Sequence, residues 1–286
     1  MSFPYVISHE QLTLYIKIVE LKDLHLHEET IPEFLDHLAN SIEANGCLRH
    51  PVIVDKKSLV VLDGMHRVAA LEKLGCKRIP VCLVDYENPA IVVGCWYRTV
   101  RGSKISEFLS HLKQGGIAIK RTVNANNSDL GISPVVAAIQ AEKENFQILF
   151  AFQNLKEAYD IIKRIEDGMK AYDFKVGFET ESDALHHLHS RKVDAVLLTP
   201  KPTKSEIINT ALSGQVFSYK ATRHIIPARP MYLNVPLSIL RDSSRSFEEV
   251  NDWLKEMLEN RRLKFVPAGS VLEGRRYEEE VYVFEE

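Results

Sequence analysis

The chain has 286 residues, 45% of them hydrophobic and 26% charged, with a formal net charge of −3. That length suits two domains with separate cores, and the composition is that of a globular protein, not a disordered or fibrous one. The balanced charge lacks the concentrated basic face of a DNA-binding domain, and no apolar run approaches the roughly 20 residues that cross a bilayer.

Neither nucleic acid nor membrane is therefore expected as a partner. The start, "MSFPYVISHE", has no basic region leading into an apolar stretch, so no signal peptide is expected and the location expected is cytoplasmic. Cys47, Cys76, Cys82 and Cys95 form no C-x-x-C pair and are expected to be reduced and mostly buried.

In chain order, "LTLYIKIVELKDLHLHEET" opens with alternating β-branched residues, a strand running into a loop near Asp23. "IPEFLDHLANSIEANG" spaces Phe34, Leu35, Leu38 and Ile42 on one helical face and stops at Gly46. "HPVIVDKKSLVVLDG" reads as a hairpin around Lys56, Lys57 and Ser58. A second helix, Met65 to Leu74, ends at Gly75. "RIPVCLVDY" and "AIVVGCWYRTV" are further strands, completing one compact unit to about Val100. A helix at Ser103 to Gln114 precedes the turn-forming "GGIAIKRTVNANNSDLGISP". A second α/β pattern runs from Ala137: a strand "NFQILFAF", an amphipathic helix "NLKEAYDIIKRIEDGMKAYD", a helix end and buried strand in "ALHHLHSRKVDAVLLTP", and a capped helix closing at Gly214. The tail holds a charged helix, Phe247 to Arg262, and a strand candidate, "EEVYVFEE".

Four clusters could carry chemistry. In "DGMHR", Asp63 to Arg67, a glycine leads into a helix amino end, where unpaired N–H groups and the helix dipole favour an anion. His66 and Arg67 add donors, and Arg suits bidentate phosphate contact. A surface turn capped by Asp63 would use the same residues. In "LHLHEET", Glu28 and Glu29 precede a helix; either a general base or a solvated, dipole-favourable pair fits. His25 and His27 share a face if that segment is extended, which would suit a metal. "KATRHIIP" places Lys220, Thr222, Arg223 and His224 together, an anion site or an ordinary charged loop. His186 and His189 in "HHLH" lie one helical turn apart, as a metal pair or as an exposed face. Trp96 alone reads as core.

Taken together, "SIEANGCLRHPVIV…LVVLDGMHRVAALEKLGCKRIPV" resembles the ParB/sulfiredoxin superfamily. A partitioning ParB would carry Glu-Arg-Arg after the glycine, where this chain has Met65, His66 and Arg67; sulfiredoxin would carry its reactive cysteine in place of Met65. The chain is closer to the free L-serine kinases, through "LHLHEET…FLDHLANSI", "DGMHR", "CWYRTV" and "TPKPTKSEIINTALSGQVFSYKATRHIIPARP" in that order.

This resemblance implies an α/β (α+β) protein: a ParB/sulfiredoxin-like nucleotide-phosphate domain over 1–100, a connector over 101–136, a second α/β domain over 137–235 carrying Thr-Arg-His, and an extension over 236–286. The active site is expected in the cleft between the domains. The resemblance implies transfer of the terminal phosphoryl group of an adenine nucleotide to free L-serine, giving O-phosphoserine, with Mg²⁺ as cofactor and a place in cysteine biosynthesis. ADP is favoured as donor because the C-terminal signature is closest to the archaeal branch; "LRHPVIV" is similar to the staphylococcal one, and ATP stays open. Glu28 would be the base. Gly64, Met65, His66 and Arg67 would hold the nucleotide phosphates, with Asp63 toward Mg²⁺. Trp96, Thr222, Arg223 and His224 would bind the acceptor. A non-catalytic nucleotide sensor and a DNA-binding protein are the alternatives, and oligomeric state stays open.

Overall fold

A computed structural model describes residues 4–123 and 127–285. The chain divides into two compact units. One holds the chain through Val92 with Ala211–Gln215 and the residues from His224 onward; the other holds Val93–Thr210 and Val216–Arg223.

The first unit begins with β1 (Tyr5–Ser8) and β2 (Thr13–Glu20), followed by α1 (Pro32–Asn45), β3 (Cys47–Leu48), β4 (Val52–Asp55), β5 (Val61–Asp63), α2 (Met65–Lys73) and β6 (Arg78–Val84). Leu14, Ile16 and Ile18 of β2 are buried at alternate positions, the period that a sheet face requires. The sheet order is β1-β2-β6-β4-β5. Within this sheet β4 and β6 pair in parallel, which requires a crossover between them; α2 lies on that connection and packs on α1. α1 stops at Gly46, whose φ of 66° takes the left-handed region that a helix end uses. Phe34 departs from the expected apolar face: Ile42 is buried, but Phe34 is 64% exposed, its ring edge-on to His66.

The second unit is built from β8 (Trp96–Arg101), which follows the short β7 (Val92–Gly94), then α3 (Ile105–Gln114), β9 (Ala118–Thr122), β10 (Val135–Ala141), β11 (Asn145–Leu149), α4 (Leu155–Ala171), β12 (Lys175–Thr180), α5 (Glu181–His189), β13 (Ala195–Leu198) and α6 (Lys204–Leu212). Six strands form one sheet in the order β12-β8-β13-β10-β11-β9, antiparallel throughout. Two sequence readings change here. β8 belongs to this sheet and not to the first unit, because Cys95 and Tyr97 bury among Ala138, Leu188, Val196 and Leu198. The stretch read as turn-forming contains β9 on the sheet edge, paired with β11; its residues 124–126 lie outside the described residues.

The last segments are β14 (Arg223–Ile225), β15 (Ala228–Met231), β16 (Val235–Pro236), α7 (Leu237–Arg241), α8 (Phe247–Glu259), β17 (Arg262–Val266), β18 (Val271–Leu272), β19 (Arg275–Arg276) and β20 (Glu280–Glu285). From β15 onward they complete the first unit. β15, β20 and β17 make a three-stranded sheet, and β16 pairs with β3. α8 starts at a Ser246–Glu249 capping box and lies on β2, where Asn251 accepts from the Ile18 amide at 2.7 Å and donates to the Ile18 carbonyl at 3.0 Å. The pairing of β1 with β2 begins at Tyr5, opposite Ile16, and the one Asn251 side chain satisfies both backbone groups of Ile18. The region expected as an extension is thus part of the first unit's core.

Candidate active site

The strand-turn-helix "DGMHR" lies where β5 runs into α2. Gly64 adopts φ 106°, and a Cβ there would stand 2.7 Å from Val52 Cγ1 and 2.8 Å from Arg67 Nη2. The glycine is therefore required twice, by its backbone and by what packs against it. What packs against it is the Arg67 guanidinium. Nη1 donates to the carbonyls of His50 at 3.2 Å and Pro51 at 2.5 Å, and Nη2 donates to Asp63 Oδ2 at 2.8 Å. Arg67 thus turns into the scaffold and shapes the turn, unlike the expected phosphate-facing side chain. The anion-binding capacity of the turn rests on the helix start itself, Gly64 to His66.

Asp63 is shared. Besides Arg67, its Oδ2 accepts from Arg229 Nη1 at 3.0 Å, and Arg229 also pairs with Glu279. Partial burial would raise the Asp63 pKa, but Arg229 and Arg67 override it and hold the carboxyl well below the usual carboxylate range. A carboxylate oxygen already taken by two guanidiniums is not an open ligand for a dication. The described residues contain no group of three or more His, Cys, Asp or Glu able to hold a metal. The donor set thus does not fit the expected Asp63–Mg²⁺ contact, nor a metal at His25 and His27; His186 and His189 lie exposed on α5. A cleft of about 190 Å³ opens beside Asp63 and Arg67, lined also by His50, Arg229, Arg275 and Tyr277. Burial, and then Arg67, Arg49 and Arg229, push the His50 pKa down to about 3, so that ring is neutral.

The segment carrying Glu28 is laced along this turn. The His25 amide donates to the Leu59 carbonyl, and the His25 carbonyl accepts from Val61. His27 Nδ1 donates to the Val61 carbonyl at 2.7 Å, and the Ile31 amide donates to His66 Nε2 at 2.9 Å. Glu28 is thereby fixed, 7% exposed, between one contact to β5 and another to the first turn of α2. His27 is fully buried, which lowers its pKa, and its ring stands edge-on to His224, with centroids 5.2 Å apart. His224 Nε2 lies 2.7 Å from the Tyr86 hydroxyl. Glu28, the Asp63–Arg67 turn and His224 are thus brought together in the first unit.

Trp96, Thr222 and Arg223 meet in the second. Three successive carbonyls receive side-chain donors there: Lys220 from Arg98 Nη1 at 3.1 Å, Ala221 from the Tyr159 hydroxyl at 3.0 Å, and Thr222 from Trp96 Nε1 at 2.9 Å. Lys220 sits in the left-handed region at φ 61°, uncommon for a bulky residue, with its Nζ 4.2 Å above the Trp96 ring. Arg223 stands over the same ring, 5.9 Å away. Arg98 is fully buried, paired through Nε with Glu166 at 2.5 Å, and also donates to the Trp96 carbonyl.

Arg98, Tyr159, Tyr86 and Arg229 carry no sequence signal of a role. Arg98 reads as one polar residue in a strand, and the side chains of the others have partners 41 or more positions away along the chain. An arginine inside an otherwise buried strand, as in "CWYRTV", is the one trace the sequence offered.

The fold and the strand-turn-helix define the class first: residues 7–93 match the ParB N-terminal domain. The chain is 30% identical over 232 residues to the ATP-dependent L-serine kinase of Staphylothermus marinus, covering 78% of this chain and 90% of that one. It is 27% identical over 227 residues to the ADP-dependent L-serine kinase of Thermococcus kodakarensis, covering 78% and 91%. A solved free serine kinase in complex with AMP has the same fold, with a TM-score of 0.66 at 24% identity, over 84% of this chain and 97% of that one. The chain belongs to the L-serine kinase family.

Proposed function

We propose that this chain transfers the terminal phosphoryl group of an adenine nucleotide to the hydroxyl of free L-serine, releasing O-phospho-L-serine. One observation carries the reading: hydrogen bonds at His27 and His66 hold the Glu28 segment against the amino end of α2. A carboxylate and an anion-attracting helix start then serve one site. Phosphoryl transfer asks for positioning and charge neutralisation above all. Glu28 takes the proton of the serine hydroxyl as that oxygen bonds to the terminal phosphorus and the bond to the leaving nucleotide breaks. The amides from Gly64 to His66 receive the nucleotide phosphates, and Arg67 and Asp63 shape the turn that presents them. Thr222, Arg223 and His224 orient serine and the transferred group, with Trp96 holding the Thr222 carbonyl. Relatives are named for each donor, so ADP, favoured by the C-terminal signature, and ATP are both tested.

The experiment supplies L-serine, Mg²⁺ and each nucleotide separately and quantifies O-phosphoserine together with AMP or ADP. Glu28→Gln is expected to lower turnover by about 10²–10⁴-fold while nucleotide affinity stays near that of the parent. Equal loss of both would remove Glu28 from its role as base. A nucleotide sensor would bind ADP or ATP and form no product with either.

A further inference from the structure

A free amino acid carries an ammonium as well as a carboxylate. The groups so far placed on the acceptor, Trp96, Thr222, Arg223 and His224, include no acid to meet that ammonium, and Glu28 is given to the hydroxyl. The second unit holds a carboxylate beside Trp96 and Arg223. β12 pairs with β8 so that Thr180 lies opposite Trp96, and the next residue, Glu181, opens α5. Its Oε1 pairs with Lys201 Nζ at 3.2 Å, its one ion pair among the described residues. Its Oε2 lies against Gly94, where a Cβ would stand 3.0 Å from that oxygen and 3.9 Å from Arg223 Cβ. Gly94 is outside the left-handed region, so its backbone does not demand glycine. The missing side chain instead lets the carboxylate approach Arg223, two residues before Trp96 along the strand. Its charge is felt on β8: burial and then Glu181 push the Cys95 thiol up to about 12.

We propose that Glu181 binds the α-ammonium of the acceptor amino acid, with Lys201 holding that place until the substrate arrives. This rests on the kinase reading and deepens it: the acceptor is recognised as an amino acid and not as a hydroxy acid. Lys201 presents the same chemical group as the substrate, an ammonium. Its side chain is 53% exposed, so it can yield to the substrate without leaving a buried charge behind. Hydrogen bonds between ionised groups are about twice as strong as neutral ones. A site built for a polar group also rejects the analogue that lacks it, because its own partner is then left unpaired.

Transfer by the full chain to L-serine is compared with 3-hydroxypropanoate, the analogue without the amino group, used as substrate or competitor; calorimetric titration reads serine binding. Glu181→Gln is expected to raise the serine KM about 10–100-fold, the range of one charged hydrogen bond. The nucleotide KM and the affinity for 3-hydroxypropanoate should stay near those of the parent. Lys201→Met breaks the same ion pair and is expected not to raise the serine KM, which separates substrate binding from loss of a structural contact. An unchanged serine KM in Glu181→Gln overturns the proposal, as does an equal loss toward both acceptors, or a Lys201→Met variant with the same loss. If Glu181→Gln does not fold, the wild type decides: a preference for serine over 3-hydroxypropanoate supports the ammonium contact, and equal affinity overturns it. A wild type that binds serine but forms no product sinks the function proposed above, and the titration of Glu181→Gln then decides the contact alone. One that binds no serine overturns both.

Discussion

Each unit holds one arginine turned inward behind a segment of the proposed site, and the two are used differently. Arg67 in the first unit supports the turn before α2 and shares Asp63 with Arg229. Arg98 in the second is fully buried, has Glu166 as its ion-pair partner, and holds the carbonyls of Trp96 and Lys220. The first is one strand of a redundant network; the second is a single post. An arginine inside a recognised motif is thus not by that fact a ligand contact, and Arg98, to which the motif "CWYRTV" assigns no role, can bear more of the site's geometry.

The largest effect that tests this contrast is at Arg98. Arg98→Ala would leave Glu166 buried without its ion-pair partner and is expected to cost about 3–5 kcal/mol. Arg67→Ala leaves Asp63 its Arg229 partner and is expected to cost about 1–3 kcal/mol, mainly from the His50 and Pro51 carbonyls. Urea unfolding of both variants measures the order, and an Arg67 loss equal to or above the Arg98 loss would erase the distinction.

Gly64→Ala comes next. It forces a Cβ to 2.7 Å from Val52 Cγ1 at φ 106°, an expected cost of about 1–3 kcal/mol, and it should weaken ADP and ATP binding by displacing the helix start. Calorimetric titration reads the second effect. Undiminished affinity at normal stability would mean that the phosphates bind elsewhere.

The smallest expected effect is on pH dependence. His50 titrates near 6.5 unfolded and at about 3 folded, so the unfolded chain binds the proton first as pH falls. The stability it confers is complete above about 6.5 and is lost progressively down to about 3, by up to about 1.4 kcal/mol per pH unit. His27, whose pKa is also lowered, adds a loss of the same sign. Unfolding free energies between pH 7 and 5 should fall less steeply in His50→Gln; an unchanged slope would show that His50 is already protonated in the folded state.

Much of the first unit was legible along the chain. Its first two helices stop at glycines, its hairpin surrounds a polar turn, and "DGMHR" marks a strand entering a helix, all signals spread over a few neighbouring residues. The family resemblance also pointed to Glu28, the turn and His224, which the fold brings together, and to Trp96 with Thr222 and Arg223, which meet in the second unit. Local signals could not say which sheet β8 joins, since "CWYRTV" reads as a strand in either, and its place depends on cores formed with β13 and α5. Nor could they show that the tail closes the first unit through Asn251 and β20.

The sequence by itself determined the elements and the chemical inventory, because helix stops, strand alternation and a glycine before a helix act over a few residues. Only the tertiary structure decided which atoms that inventory presents. Arg67 faces its own scaffold, Asp63 is neutralised by Arg229 from 166 positions away, and Tyr86 meets His224 across 138. Hydrogen bonds and desolvation are settled by neighbours in space, and those neighbours exist only once the chain has folded.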